Sequence, residues 1–256
     1  MPSVRDLHVR VQGDGRDVVL LHGWGFHSGA WNGVVPALAM RHRVHAIDLP
    51  GHGRSRDCAI EAFDAAAEAI ARRIPPGSLV VGWSLGGLLA QRIVARGMAR
   101  PSALALVSST PCFVQREDWA AAMRSATLEG FARDLGRKPR HTLAHFVRLN
   151  ALNAPNAREV VRSITARLEE EPAPTTTALE HGLRWLREAD LRDDAARIGV
   201  PCIVIHGTRD AITPIEAGRW LGSRIPGARL CEIEDAAHLP FASHAARFLE
   251  AVESLA

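Results

Sequence analysis

The 256-residue sequence predicts an α/β fold: a mostly parallel sheet flanked by helices and interrupted by an inserted helical segment. Three observations predict it. Short apolar runs such as Val18-Val19-Leu20-Leu21 and Cys202-Ile203-Val204-Ile205 alternate with helical patterns at both ends of the chain, as strands buried on both faces of a parallel sheet do. One run breaks at Gly82-Trp83-Ser84-Leu85-Gly86-Gly87 and becomes helical. Between residues 115 and 189 the alternation stops, giving residues 1–114 and 190–256 as an α/β core and 115–189 as a helical lid.

Each element follows from local chemistry. Leu7 to Val11 alternates as an edge strand, and Gly13-Asp14-Gly15 turns the chain into the Val18 run. That run ends in His22-Gly23-Trp24-Gly25, where glycines permit a sharp turn. Val44 to Ile47 is a strand closing in Asp48-Leu49-Pro50-Gly51, and Ile60 to Ile74 has helical spacing that Pro75-Pro76-Gly77 stops. Leu79 to Trp83 is a strand, Gly86 to Arg96 its helix and Ala103 to Val107 the next strand. From Gln115 to Ala189 the pattern is helical, with breaks at Gly136 to Pro139, Pro155 and Pro172 to Pro174. Strands resume at Cys202 to Gly207 and Arg229 to Ile233, before a helix from about Ala245.

The residues that carry chemistry lie at the ends of these strands. Gly-Trp-Ser-Leu-Gly is a G-x-S-x-G nucleophile elbow, in which small residues let a strained turn expose the Ser84 hydroxyl. The Leu85 N–H, at a helix N-terminus, is one candidate oxyanion donor, and the Trp24 N–H, from a separate strand end, is the other. Asp210 follows the strand at 202–206, and His238 follows the strand ending near Ile233. The chain order Ser84, Asp210, His238 is that of the α/β-hydrolases, not of the chymotrypsin or subtilisin arrangements. Rival residues are worse placed. Asp48 and Asp235 belong to turns, Asp193 and Asp194 precede a strand, and His22, His206 and His244 fall in the glycine turn, before the loop and in the final helix region. No metal or organic cofactor is required by this chemistry.

Composition narrows the remaining classes. With 47% hydrophobic and 23% charged residues the chain can bury a sizeable core. A net charge of +3, with arginines scattered over many segments, gives no nucleic-acid footprint. Cys58, Cys112, Cys202 and Cys231 have no C-x-x-C spacing and read as reduced thiols. Met1 to Arg10 has no leader-like apolar region, and no apolar stretch reaches the roughly 18 residues a bilayer span needs. A cytoplasmic monomer, away from membranes, is expected.

Over essentially its whole length the chain resembles the α/β-hydrolase superfamily, and within it the methyl ester esterases of biotin synthesis that act on pimeloyl-acyl carrier protein. The residues that carry the resemblance are Leu20 to Gly25, Asp48 to Gly51, Gly82 to Gly87, the Ser109 to Phe113 turn and Ala237-His238. The resemblance implies cleavage of a methyl ester at the far end of a pimeloyl chain carried on phosphopantetheine, with release of methanol and a free ω-carboxylate. It implies an acyl channel lined by Trp24, Trp83, Phe146 and Leu239, and contact with an acidic acyl carrier protein through Arg158 and Arg162. His141 and His145 stand where two further family arginines align. The segment from Phe131 to Arg167 is distinctly basic, with eight Arg and Lys residues against Asp134 and Glu159, which suits either a docking face or a solvated helix surface. A broad short-chain esterase, a lactonase, a C–C bond hydrolase and a non-catalytic binding protein remain open on the same scaffold.

Overall fold

A computed structural model describes residues 6–255; the first five residues of the N-terminal stretch read above lie outside the described residues. Seven strands form one sheet: β1 (Val9–Gln12), β2 (Arg16–Leu21), β3 (His42–Ile47), β4 (Leu79–Trp83), β5 (Ala103–Val107), β6 (Cys202–Gly207) and β7 (Arg229–Ile233). The helices are α1 (Val35–Leu38), α2 (Phe63–Ala71), α3 (Leu85–Ala95), α4 (Ser125–Arg137), α5 (Pro139–Asn150), α6 (Ala157–Leu168), α7 (Thr176–Glu188), α8 (Arg192–Ala195), α9 (Ile215–Arg224), α10 (Pro240–Ser243) and α11 (Ala245–Glu253).

The strand order is β1-β3-β2-β4-β5-β6-β7, parallel except for β1, which pairs antiparallel with β3. The chain builds outward from β2 to β3, then returns to lay β4 on the other side of β2. The point where the order reverses therefore lies between β2 and β4, and in open α/β sheets ligands bind outside the carboxyl ends of the strands at such a point. Registers align those ends: Leu21 is opposite Gly82, Trp83 opposite Val107, and Val107 opposite Ile205. Alternate strand residues feed two apolar layers. Val19, Leu21, Val80 and Leu106 pack with α2 and α3, whereas Val18, Leu20, Val81 and Ile205 pack with Trp31, Phe241 and Phe248. Each such fully buried side chain contributes about 1.5–3 kcal/mol.

Helices α4 to α7 lie between β5 and β6, and strand pairing in the stretch before α4 is limited to isolated bridges such as Val114–Met123 and Arg116–Trp119. The proline breaks act as expected, since Pro139 opens α5 directly after α4. Helix α9, which follows Pro214, links β6 to β7, and its buried Ala217, Gly218 and Leu221 face the sheet.

The four inserted helices are tied to the core unevenly. Helix α7 is held firmly: Thr175 N–H donates to Gly51 O (3.0 Å), His181 Nδ1 bonds Ile60 O (3.0 Å), and Trp185 Nε1 donates to Glu61 O (2.7 Å). Helix α4 packs instead on α5 and α7 through buried Leu128 and Leu135. Among the described residues no helix is long and apolar enough to cross a membrane.

Candidate active site

Strand β4 delivers Ser84 into a conformation that L-residues rarely adopt, with φ 54° and ψ −118°. The strain is fixed from both sides. Ser84 N–H donates to Val107 O (2.9 Å), and Ser84 O accepts from Gly87 N–H (2.9 Å) and Leu88 N–H (3.1 Å), which starts α3. A side chain at Gly86 would run into the carbonyl oxygens of Leu21 and His22, so only glycine lets the elbow lie against the end of β2. Leu85 is the first helical residue, so its N–H has no intrahelical acceptor.

The loop after β2 is shaped by two buried, neutral histidines. His22 Nε2 accepts the Leu49 N–H (2.9 Å), so its Nδ1 carries the proton and donates to Gly23 O (2.8 Å). His52 mirrors it, accepting the Gly25 N–H (3.4 Å) and donating from Nδ1 to Pro50 O (2.9 Å). Burial pushes both imidazoles below their ordinary pKa, His52 to about 4. With the Gly25 N–H and the Phe26 N–H (to Gly23 O, 3.3 Å) occupied, the Trp24 N–H has no protein acceptor among the described residues. The Trp24 ring is buried, donates from Nε1 to Leu179 O in α7 (2.9 Å), and rests on Gly182, where a Cβ would collide with it.

His238 and Asp210 arrive from the loops after β7 and β6, and their side chains meet at Nδ1···Oδ2 2.7 Å, both fully buried. Burial alone would raise the Asp210 pKa, but the facing His238 and His206 and the donors around the carboxylate hold it below its ordinary value. Asp210 Oδ1 accepts the N–H groups of Ile212 (2.9 Å) and Thr213 (3.0 Å). His238 Nε2, the nitrogen left for a proton transfer, is buried with no partner among the described residues. The His238 backbone is held at both ends: its N–H donates to Asn150 O at the end of α5 (3.1 Å), and its carbonyl accepts from Trp83 Nε1 (2.8 Å).

The residues expected to line an acyl channel are placed differently from one another. Phe146 is half-buried and stands edge-on to Trp24 (4.9 Å between centroids), close to Phe131 (5.6 Å). Trp24 and Leu239 are buried; Trp83 is fully enclosed by Phe26 (4.7 Å), Phe241 (5.1 Å) and Trp31 (6.3 Å). Arg158 and Arg162 are exposed on α6, opposite buried Val160 and Ile164, with no ion pair among the described residues. The rival carboxylates are engaged elsewhere: Asp48 accepts from Ser28 N–H (2.7 Å) and Arg54 N–H (3.0 Å), Asp235 pairs with Arg209 (2.5 Å), and Asp194 pairs with Arg92 (3.0 Å). Among the described residues no cluster of three or more His, Cys, Asp or Glu could hold a metal ion.

Residues 18–251 match the Alpha/beta hydrolase family. The chain belongs to that family. It is 40% identical to the pimeloyl-(acyl-carrier protein) methyl ester esterase of Nitrosomonas europaea, over 97% of this chain and 99% of that protein. It is 42% identical to the protein of the same name from Chromobacterium violaceum, over 96% of each. The bromoperoxidase of Bacillus anthracis superposes with a TM-score of 0.87 over 97% of this chain and 94% of that one; at 23% identity it shares the fold.

In this α/β hydrolase several supports of the site have no signal in hydrophobic period. Gln91, fully buried in α3, donates to Thr110 O (3.0 Å) and Gly87 O (3.2 Å), and Ser109 Oγ donates to Ser84 O (3.1 Å). Asn150, Thr213, His22 and His52 act the same way on the neighbouring loops. The one available clue was polarity out of place, such as Gln91 after the apolar Leu88-Leu89-Ala90 of α3.

Proposed function

We propose that this α/β hydrolase is a serine carboxylesterase that cleaves the methyl ester of pimeloyl-acyl carrier protein, acting as a cytoplasmic monomer. The buried His238–Asp210 pair beside the strained Ser84 elbow is the observation that carries the chemistry. The near-full-length likeness to the two methyl ester esterases supports the substrate, and four free cysteines accord with a reducing compartment.

In this reading Ser84 Oγ attacks the ester carbonyl while His238 Nε2 takes its proton. Asp210 fixes the tautomer with the proton on Nδ1 and balances the imidazolium charge. The Trp24 and Leu85 N–H groups receive the oxyanion, each donor contributing about 3 kcal/mol in the transition state. Collapse expels methanol, which leaves with the proton from His238. Water, deprotonated by the same imidazole, then splits the acyl-enzyme and frees the ω-carboxylate. Residues 115–189 act as the lid, with Phe146, Trp24, Trp83 and Leu239 bounding the acyl path. The exposed, unpaired Arg158 and Arg162 favour an acidic carrier protein at its mouth.

Methanol release from pimeloyl-carrier methyl ester and from a free short-chain methyl ester, each across a salt series, tests the reading. Carrier-ester turnover that is faster and falls as salt rises is expected. Equal, salt-insensitive turnover of both would reduce the activity to general ester hydrolysis.

A further inference from the structure

The Asp210 carboxylate has a second side-chain neighbour that the triad does not account for. Its Oδ2, already bonded to His238, stands 2.9 Å from Thr213 Oγ1. That hydroxyl occupies a branch point, also lying 3.1 Å from Ser108 O, 3.3 Å from His238 Nδ1 and 3.4 Å from His206 Nε2. A hydroxyl has one proton to donate, so its bonds to Asp210 Oδ2 and to Ser108 O alternate.

His206 fixes the frame in which this happens. Its Nε2 lies 2.8 Å from Thr213 O and donates to it, while Nδ1, packed against Gly218, has no partner among the described residues. Burial pushes this imidazole below its ordinary pKa. The ring is therefore a neutral post under the Thr213 main chain, although it lies only 3.5 Å from Asp210 Oδ2. Ser108, on the other side, ends β5 in a left-handed conformation (φ 43°), one residue beyond the Val107 carbonyl that anchors Ser84 N–H. Thr213 thus joins the loops that follow β5, β6 and β7.

We propose that Thr213 is a positioning residue of the triad: its hydroxyl holds Asp210 facing His238, and redirects its proton to the Ser108 carbonyl when His238 becomes charged. The inference rests on the serine-esterase chemistry proposed above. While His238 is neutral, the buried carboxylate gains from a second donor on Oδ2. Once His238 has taken the Ser84 proton, a second donor on the same oxygen draws charge away from the imidazolium. Turning the O–H bond about Cβ–Oγ1, with every heavy atom in place, removes that competition. The β-branch of threonine restricts χ1 and keeps the oxygen at the branch point.

The test compares Thr213→Val, which keeps shape without the hydroxyl, and Thr213→Ser, which keeps the hydroxyl. Each is measured alone and with Asp210→Asn, using hydrolysis of p-nitrophenyl acetate. Thr213→Val is expected to lower kcat about tenfold with KM changed less than about twofold, and Thr213→Ser to stay within about threefold of wild type. With Asp210→Asn in place, Thr213→Val should cost less than about twofold more. Unchanged kcat in Thr213→Val, a loss as large in Thr213→Ser, or the full tenfold loss persisting beside Asp210→Asn would each overturn the proposal. If Thr213→Val does not fold, Thr213→Ala carries the same comparison. Wild-type protein that cleaves p-nitrophenyl acetate but not the carrier ester would defeat the substrate assignment and leave this comparison standing.

Discussion

The arginines of the α/β core and those of α4 to α6 are used in opposite ways, while α7 follows the core in pairing Arg184 with Glu61 (3.0 Å) and Arg187 with Glu188 (2.9 Å). In the core they mostly meet carboxylates: Arg43 with Asp17 (2.6 Å), Arg219 with Glu232 (2.7 Å), Arg192 with Asp118 (2.8 Å) and Asp190 (2.7 Å). From α4 to α6, Arg133, Arg137, Lys138, Arg140, Arg148, Arg158 and Arg162 are exposed, and none forms an ion pair among the described residues. Asp134 and Glu159 are close in sequence yet are not engaged. Paired surface charges cancel within a few ångströms. Unpaired like charges add up to a field that reaches about a Debye length, roughly 8 Å at physiological salt, and repel one another within the helices that carry them. In the proposed function the core supplies the chemistry and α4 to α6 supply the address.

Removing the chemistry should erase any difference between substrates. Ser84→Ala is expected to lower kcat by at least about 10⁴-fold on carrier-bound and free esters alike, measured as methanol release. Residual turnover of one substrate alone would require a second nucleophile and break the division of labour.

Removing the address should separate the substrates. Arg158→Glu combined with Arg162→Glu is expected to reduce kcat/KM for the carrier ester about 10- to 100-fold at low salt, and to flatten its salt dependence, with the free ester within about twofold. Equal loss on both esters would mean that α6 supports the site rather than the partner.

Acid should weaken the core itself. His22, His52 and His206 are buried with folded-state pKa values below the ordinary 6.5, so the unfolded chain binds protons first as pH falls. Their stabilisation is complete above pH 6.5 and is lost as pH drops, for His52 down to about 4. Within that window His52 alone contributes a slope of about 1 kcal/mol per pH unit. The urea midpoint at pH 5.5 should therefore lie below that at pH 7.5. An unchanged midpoint would mean that these rings are not held neutral.

The smallest effect is expected where a core charge is already paired and exposed. Arg43→Ala should leave the thermal midpoint at neutral pH nearly unchanged and methanol release from both substrates unaffected. The bond from Arg43 holds the Asp17 pKa down at about 2, so whatever the pair contributes is present above the ordinary carboxylate range and lost as pH falls through about 2. A drop in carrier-ester activity in this variant would show that core charges also take part in docking.

The sheet was largely legible because burial on two faces writes itself as apolar runs. Leu79–Trp83, Ala103–Val107 and Cys202–Gly207 lie where those runs and their stops put them. Ser84, Asp210 and His238 were legible because a parallel sheet sends every strand's exit loop to one edge, so position after a strand is enough to nominate a residue. Helix α9 escaped, since its buried positions include small Ala217 and Gly218. The supports escaped for a different reason. Asn150 reaches His238 across 88 residues of chain, Trp24 reaches Leu179 across 155, and neither contact leaves a local period to detect. Trp83, proposed above to bound the acyl path, also packs its ring in the layer under the elbow and sets its N–H on the His238 carbonyl, a second role that its position before Ser84 does not announce.

The bond from His238 N–H to Asn150 O bears on how this scaffold could be reshaped. A minimal esterase made by splicing a short linker in place of residues 115–189 would look like a simple uncapping that widens access. It would also strip the acceptor from the main chain of the histidine that Trp83 holds at its other end. Exchanges of this segment between relatives are better spliced to retain the end of α5 around Asn150, so that the main chain of His238 keeps the acceptor it has here.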